Sequence, residues 1–403
     1  MMKYAVPTNF RPDLPLALTG LPVAELYGQL PRDFVGGGRA SSNIGPVSRR
    51  RLRRHVQETH EAGFRFNYTL NAVSMANREW SLMGQWRLAR LLDLLLECGV
   101  DAVTVALPYL LEYVKRRAPG LEITVSTQAG VATPDRARRW QDLGADGITL
   151  SVVDVNRDFE ALRAIRRAVG IRLQLIANQP CLQGCPATAH HASICAHASQ
   201  TGMSRFAVDY CVISCNQQRL SHPEDFIRAA WIRPEDQGYY AELGIDRIKL
   251  VSRGMRTDAL VPIVRSYVDG TSPEDLMDLF PSGDKFIALA RPSLVHLIRH
   301  YGHPHRANLF RLRKLGSMTG GQPVSIDSAG LDGMLAPFLE GRCRRMTCQA
   351  CGHCAEVARR AVRYDPEELR RAVDNSADVK EEVLSGRLFS YLPRWWPRPG
   401  KRW

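Results

Sequence analysis

The chain has little of what a membrane or secreted protein requires. No apolar run approaches the roughly 20 residues of a membrane helix, and the N-terminal MMKYAVPTNFRPDLP contains no apolar signal core. Both absences point to a cytoplasmic protein with no membrane span. Hydrolase signatures are missing too: neither G-x-S-x-G nor H-E-x-x-H occurs in the 403 residues. Negative charge is the scarcer sign, with 41 Asp plus Glu against 54 Lys plus Arg, a net of +13. That excess favours anionic partners such as nucleic acid, phosphates or carboxylate substrates. Spread evenly, it is only a solvated surface.

Cysteine, by contrast, is plentiful. The chain has ten, and nine lie between Cys181 and Cys354. A reducing compartment argues against disulfides, so clustered thiols point to metal or redox chemistry. The exception, Cys98 in the apolar LLDLLLECGV, reads as a buried structural thiol. Cys181 and Cys185 form one pair, Cys211 and Cys215 another, each with three residues between the sulfurs. A four-residue step puts both thiols on one side of a helical turn or around one tight loop. Four such thiols suit one metal centre, either zinc or an iron–sulfur cluster. Between the pairs lie Cys195, a substitute ligand, and His190, His191 and His197. His190 and His191, beside the cysteine loop, are candidates for moving protons or orienting substrate. A second set, Cys343, Cys348, Cys351 and Cys354, ends in CQACGHC. Its two-residue spacings suit a second 4Fe–4S cluster, and the alternative is a structural zinc site.

Short β-type runs alternate with amphipathic helical ones. Eight strands are expected at 4–6, 23–27, 65–70, 102–106, 122–126, 147–150, 171–176 and 247–251. The phrase helix, Gly-x-Asp, strand recurs as CGVDAVTV, LGADGITL and LGIDRIKL, with the glycine suited to end a helix. Alternation implies a parallel sheet, and eight strands over about 250 residues fit a (β/α)8 TIM-like barrel better than an open doubly wound sheet. A barrel keeps its chemistry at the C-terminal strand ends, where Asn71, Gln128, Asn178 and Arg253 fall. The seventh strand runs into the cysteine loop, which puts Cys181 and Cys185 at the mouth and favours iron–sulfur over a zinc knuckle.

Residues 1–270 are therefore expected to form the barrel and 271–403 a helical, cysteine-bearing C-terminal region. Helices are expected there at 272–280, within 281–321, at 356–364 and at 366–385. The tail RWWPRPGKRW mixes Trp395, Trp396 and Trp403 with basic residues, a weak pointer to stacking on RNA bases. Arg233, Lys249 and Arg253 are candidates for gripping an anionic donor or substrate, against a surface ion pair for each. Glu235 and Asp236 read as the start of a helix. Gly36 to Gly38 form either an anion cradle of backbone N–H groups or a flexible loop.

NQPCLQGCPATAHH, DYCVISC, WIRPEDQGYYAELGIDRIKLVSRGMR and the earlier PVAELYG and FVGGGR resemble the peptidase U32 family, over roughly residues 1–270. The resemblance implies a barrel whose four cysteines bind a 4Fe–4S cluster, carried here onto Cys181, Cys185, Cys211 and Cys215. It also implies oxygen-independent hydroxylation of ubiquinone precursors or RNA bases, with prephenate as oxygen donor in the RNA branches. Some members carry a protease label, and some work with a related subunit. Three readings follow: an iron–sulfur hydroxylase or related redox enzyme, with an anionic substrate or oxygen donor and an electron donor; a peptidase using Cys195; or a non-catalytic partner subunit. The C-x3-C spacings and the second cysteine set depart from the hydroxylase branches, so the substrate does not carry over.

Overall fold

The computed structural model describes residues 2–286, 294–316 and 322–391. Eight strands, β1 (Lys3–Pro7), β2 (Val23–Gly28), β3 (Arg65–Leu70), β4 (Ala102–Val105), β5 (Glu122–Val125), β6 (Gly147–Thr149), β7 (Arg172–Ile176) and β8 (Arg247–Lys249), pair in chain order and close on themselves. Every pairing is parallel, including β1 with β8. The fold is the (β/α)8 barrel that the alternation implied. The helices are α1 (Asp13–Ala17), α2 (Arg49–Glu61), α3 (Leu82–Glu97), α4 (Pro108–Arg117), α5 (Pro134–Asp142), α6 (Val152–Val155), α7 (Phe159–Ala168), α8 (Thr188–Ala198), α9 (Tyr210–Ser221), α10 (Glu224–Arg228), α11 (Gln237–Glu242) and α12 (Thr257–Asp269).

The repeated Gly-x-Asp phrase has a physical origin. Gly99 and Gly144 leave α3 and α5 at φ of +76° and +99°, a region that costs glycine nothing. The aspartate two residues on stitches its strand to the preceding one. Asp101 accepts from the backbone N–H of Phe66 at 2.7 Å, Asp146 from Ile123 at 2.7 Å and Asp246 from Leu173 at 2.8 Å. Each carboxylate thus satisfies a donor at the start of the neighbouring odd-numbered strand.

Successive strand residues face opposite ways. One face supplies the apolar layer under the helices, including Leu26, Phe66, Val103, Ile123, Ile148, Leu173 and Ile248, all fully buried. The other face fills the barrel with polar side chains, where such barrels ordinarily hold Val, Ile and Leu. Asn67 donates to Glu25 at 3.3 Å and accepts from Thr104 at 2.8 Å. Arg247 pairs with Glu25 at 3.0 Å, Arg65 with Glu122 at 2.5 Å, and Arg172 with Glu122. These ion pairs close the floor, and the open polar end is the mouth.

Beyond α12 the expectations need correction. The helix expected at 272–280 is only a 3-10 turn at Leu276–Leu279. Asp275 Oδ1 accepts from Met277 N–H and from Ile326 N–H, at 2.9 and 2.8 Å, and so ties the segment to a distant strand. Within 281–321 helices run Leu294–Tyr301 and Leu309–Gly316. The helix expected at 356–364 spans His353–Ala361 and passes into Val362–Arg363, which pairs antiparallel with Ser325–Ile326. A helix follows at Pro366–Leu384. Trp395, Trp396 and Trp403 lie outside the described residues. Leu335, Phe338 and Val357 share one buried apolar cluster with Phe226 and Trp231 of the barrel. No described helix is long and apolar enough to cross a membrane.

Candidate active site at the barrel mouth

The long connection from β7 to β8 is sealed at its base. Ile232 N–H donates to Ala177 at 2.8 Å, and Ala230 N–H to Cys181 at 2.7 Å. Asn178 fastens the two strand ends: its Oδ1 accepts from Val251 N–H at 2.7 Å and its Nδ2 donates to the Val251 carbonyl at 2.5 Å. Cys181 and Cys185 lie on the loop that follows. Asp209 caps α9 by accepting from Val212 N–H at 3.2 Å, which sets Cys211 and Cys215 one turn apart on the same face.

The four thiols feel one another. Burial, then Cys215 and Cys185, pushes Cys181 up to about 11. Burial, then Asp209 and Cys185, does the same to Cys211, and Cys215 is raised by burial and by Cys185. The guanidinium of Arg219 offsets part of this for Cys181 and Cys215, and its own position is fixed by the Pro180 carbonyl at 2.5 Å and Asn216 at 2.7 Å. Gln179 donates to the Cys181 sulfur at 3.0 Å, and His190 Nδ1 lies 3.5 Å from that of Cys211. Cys181, Cys211 and Cys215, raised by burial and by neighbouring cysteines, stand with Cys185 beside Arg219 and are the residues that would hold a thiolate-bound iron–sulfur cluster, since a bound metal removes the protons that burial retains.

Deeper in the mouth sits a group of cations. Arg253 is buried and donates to Gln29 Oε1 and Thr69 Oγ1, both at 2.5 Å. Burial lowers it to about 10, and Arg39 adds to the effect. Arg39 itself donates to Ser252 Oγ. Lys249 lies 3.9 Å from the centre of the Tyr27 ring; burial lowers it to about 8, against the opposing charge of Glu25. Among the described residues no carboxylate lies within ion-pairing distance of Arg39, Lys249 or Arg253. Gln29 Nε2 and Arg39 Nε are buried without hydrogen-bond partners. Lys249 and Arg253 are thus buried cations with no carboxylate in ion-pairing distance among the described residues, beside unused donors, the kind of surroundings in which anion sites occur.

Other expected residues are placed differently. Arg233 is committed elsewhere: it pairs with Asp332 at 3.0 Å, Asp236 at 3.3 Å and Glu235 at 3.4 Å. Three carboxylates leave it a clamp on the C-terminal segment, apart from the mouth cations. The glycine triplet is no anion cradle, because its N–H groups are taken: Gly36 by Asp33 at 2.5 Å, Gly37 by Ser199 and Gly38 by Asn71, both at 2.9 Å. A side chain on Gly37 would put its Cβ 2.0 Å from Gln29 Oε1, so glycine is what lets this loop lie across the mouth. His191 Nε2 stands 3.4 Å from Asp209 Oδ2 and is lowered by burial. Tyr27, Gln29, Arg39 and Asp209 received no role from the sequence. Asp209 carried a signal in its position just before the second cysteine pair, and Tyr27 and Arg39 in lying within PVAELYG and FVGGGR.

The second cysteine set is carried by short helical turns at Arg342–Arg345 and Cys348–Cys351 and by the start of His353–Ala361. Burial pushes Cys354 up to about 11, with Cys343 and Cys348 contributing and Arg157 opposing. Arg157 is buried, donating to the Ile227 carbonyl at 2.5 Å and to that of Trp231 at 3.1 and 3.2 Å. Its guanidinium stacks on Trp231 and Phe338, 4.4 and 5.2 Å from the ring centres.

Residues 37–180 match the description Peptidase family U32. The chain is 29% identical over 255 residues to a protein named Uncharacterized protease MJ1657 from Methanocaldococcus jannaschii, spanning 63% of this chain and 74% of that one. Among solved structures, the U32 peptidase Mk0906 aligns with a TM-score of 0.47 and 22% identity, over 63% of this chain and 94% of its own. A FabK mutant from Thermotoga maritima aligns with a TM-score of 0.33 and 13% identity, over 65% and 67%. The family match stops at Pro180, one residue short of the first mouth cysteine. In its barrel sequence the chain is similar to peptidase family U32.

Proposed function

We propose that this chain is an iron–sulfur-dependent redox enzyme that performs oxygen-independent hydroxylation, or a related oxidation, on an anionic biosynthetic intermediate. The supporting observation is a juxtaposition: the convergent thiols Cys181, Cys185, Cys211 and Cys215 share one barrel mouth with the carboxylate-free cations Arg39, Lys249 and Arg253. When bound, a 4Fe–4S cluster supplies electrons or a place to hold an oxygen donor. The chain's own residues do the rest. Arg253, with Arg39 beside it, offers guanidinium donors matched to a carboxylate. Lys249 adds charge from the floor of the seat, and Gln29 Nε2 has a donor to give. His190, 3.5 Å from the Cys211 sulfur, is placed to move a proton or orient substrate beside the thiols.

The peptidase reading finds less support. Burial and Asp209 push the Cys195 thiol up to about 11, so at neutral pH it is protonated and a poor nucleophile. The name protease belongs to the relatives and assigns no nucleophile here.

Iron, sulfide and zinc content, with an EPR spectrum, on anaerobically purified protein tests the proposal. About four irons from the mouth set, lost on Cys211→Ser, is the expected result. Zinc alone, with no iron after anaerobic reconstitution, would overturn it.

A further inference from the structure

Cys195, His191 and Asp209 have no place in the four-thiol set, yet they meet. His191 and Cys195 are four residues apart on one face of α8, and Asp209 caps α9 opposite them. One ligand atom from each, a ring nitrogen, the sulfur and a carboxylate oxygen, lies within 4.8 Å of both others. In a catalytic Cys-His-Asp relay the acid and the nucleophile address opposite ring nitrogens, which separates acid from sulfur. Here sulfur and carboxylate lie close to each other as well. That convergence is how ligands gather around one ion, whose tetrahedral shell holds sulfur at about 2.3 Å and nitrogen or oxygen at about 2.0–2.2 Å.

We propose that His191, Cys195 and Asp209 form a mononuclear site for a divalent transition metal of the zinc class, separate from the four-thiol set. The donor mixture of thiolate, imidazole and carboxylate is what zinc accepts. Charge balance agrees: a dication with one thiolate and one carboxylate is neutral overall. Arg39 and Arg253, the cations bordering Cys195, then stay available to an anion. Three protein ligands leave a fourth position open, as in catalytic zinc sites. Beside those arginines, the ligand suited to it is a small carboxylate-bearing molecule that chelates the metal through an oxygen and salt-bridges to the guanidinium groups.

The test uses cobalt(II) as a visible stand-in on the full chain, purified anaerobically with its iron in place. A Cys348→Ser/Cys351→Ser background silences the C-terminal thiols. Expected is one equivalent of cobalt with a thiolate-to-metal charge-transfer band. Cys195→Ser should abolish that band without changing iron content, and His191→Ala or Asp209→Asn should weaken binding at least about tenfold. The proposal fails if Cys195→Ser retains the band, or if it loses iron, which would make Cys195 a ligand of the four-thiol centre. Circular dichroism reports folding in each variant. If Cys195→Ser does not fold, His191→Ala and Asp209→Asn decide, and unchanged cobalt affinity in both overturns the site.

Discussion

The molecule carries two sets of four cysteines, and they sit in opposite kinds of surroundings. In the mouth set Cys211 is buried and the other three are half-buried, whereas Cys343 and Cys348 of the C-terminal set are exposed. Among the described residues, Arg39, Lys249 and Arg253 near the mouth set have no carboxylate within ion-pairing distance. The arginines near the C-terminal set are spent: Arg157 on backbone carbonyls, Arg228 on Asp225 at 3.0 Å. Spacing proposes thiols as ligands, and the unspent groups around them are our reason for proposing where chemistry is done. On that basis we assign the reaction to the mouth set, and structural support or electron supply to the other.

The largest expected effect would divide the two sets outright. Cys211→Ser with Cys215→Ser should remove the mouth iron and all turnover, while Cys348→Ser with Cys351→Ser leaves the mouth iron at its original level. Equal loss of iron and sulfide in both variants would erase the distinction. Next comes Arg157→Ala, which strips the donor from the Ile227 and Trp231 carbonyls beneath the C-terminal set. Leaving those buried carbonyls without their charged donor costs about 1–3 kcal/mol each, read as a lower urea midpoint.

Lys249 gives a pH signature of the mouth alone. Its folded value, about 8, lies below the usual 10.5. Between those two values the unfolded chain holds one more proton, so stability rises with pH across that window, by up to about 3 kcal/mol. Lys249→Met should flatten that rise in denaturation measured at stepped pH. A smaller change is expected for Arg253→Gln, which should weaken binding of a dicarboxylate by roughly 10- to 100-fold, from the loss of charged hydrogen bonds. Calorimetry should find Arg233→Gln without effect on the same binding. Smallest of all, Arg344→Ala removes exposed pairs to Asp158 and Glu160, at 2.7 and 2.8 Å, and should shift stability by less than about 1 kcal/mol.

The sequence made the barrel legible because its information is local. Alternation and the Gly-x-Asp phrase repeat within a few residues of each strand, and all eight strands appeared close to their expected places. The position of Lys249 and Arg253 at the mouth was readable for the same reason, since they lie on and just past the last strand. For Arg233 the ion-pair alternative is the one the structure shows, with Glu235 and Asp236 nearby in sequence and Asp332 far along the chain. The glycine triplet misled because Ser199 and Asn71, which occupy its N–H groups, come from other loops. Gln29 and Tyr27 looked like ordinary strand-end residues until closure of the barrel turned them toward Arg253 and Lys249. The turn at Leu276–Leu279 was hidden by Asp275, whose second partner is Ile326.

The sealed base of the β7–β8 connection has a consequence of its own. Because Ala177 and Ile232 are joined directly by a backbone hydrogen bond, strand pairing does not depend on what the chain does between them. The connection behaves like a detachable tool head: its reagents can be rewritten or lengthened while the handle keeps its shape.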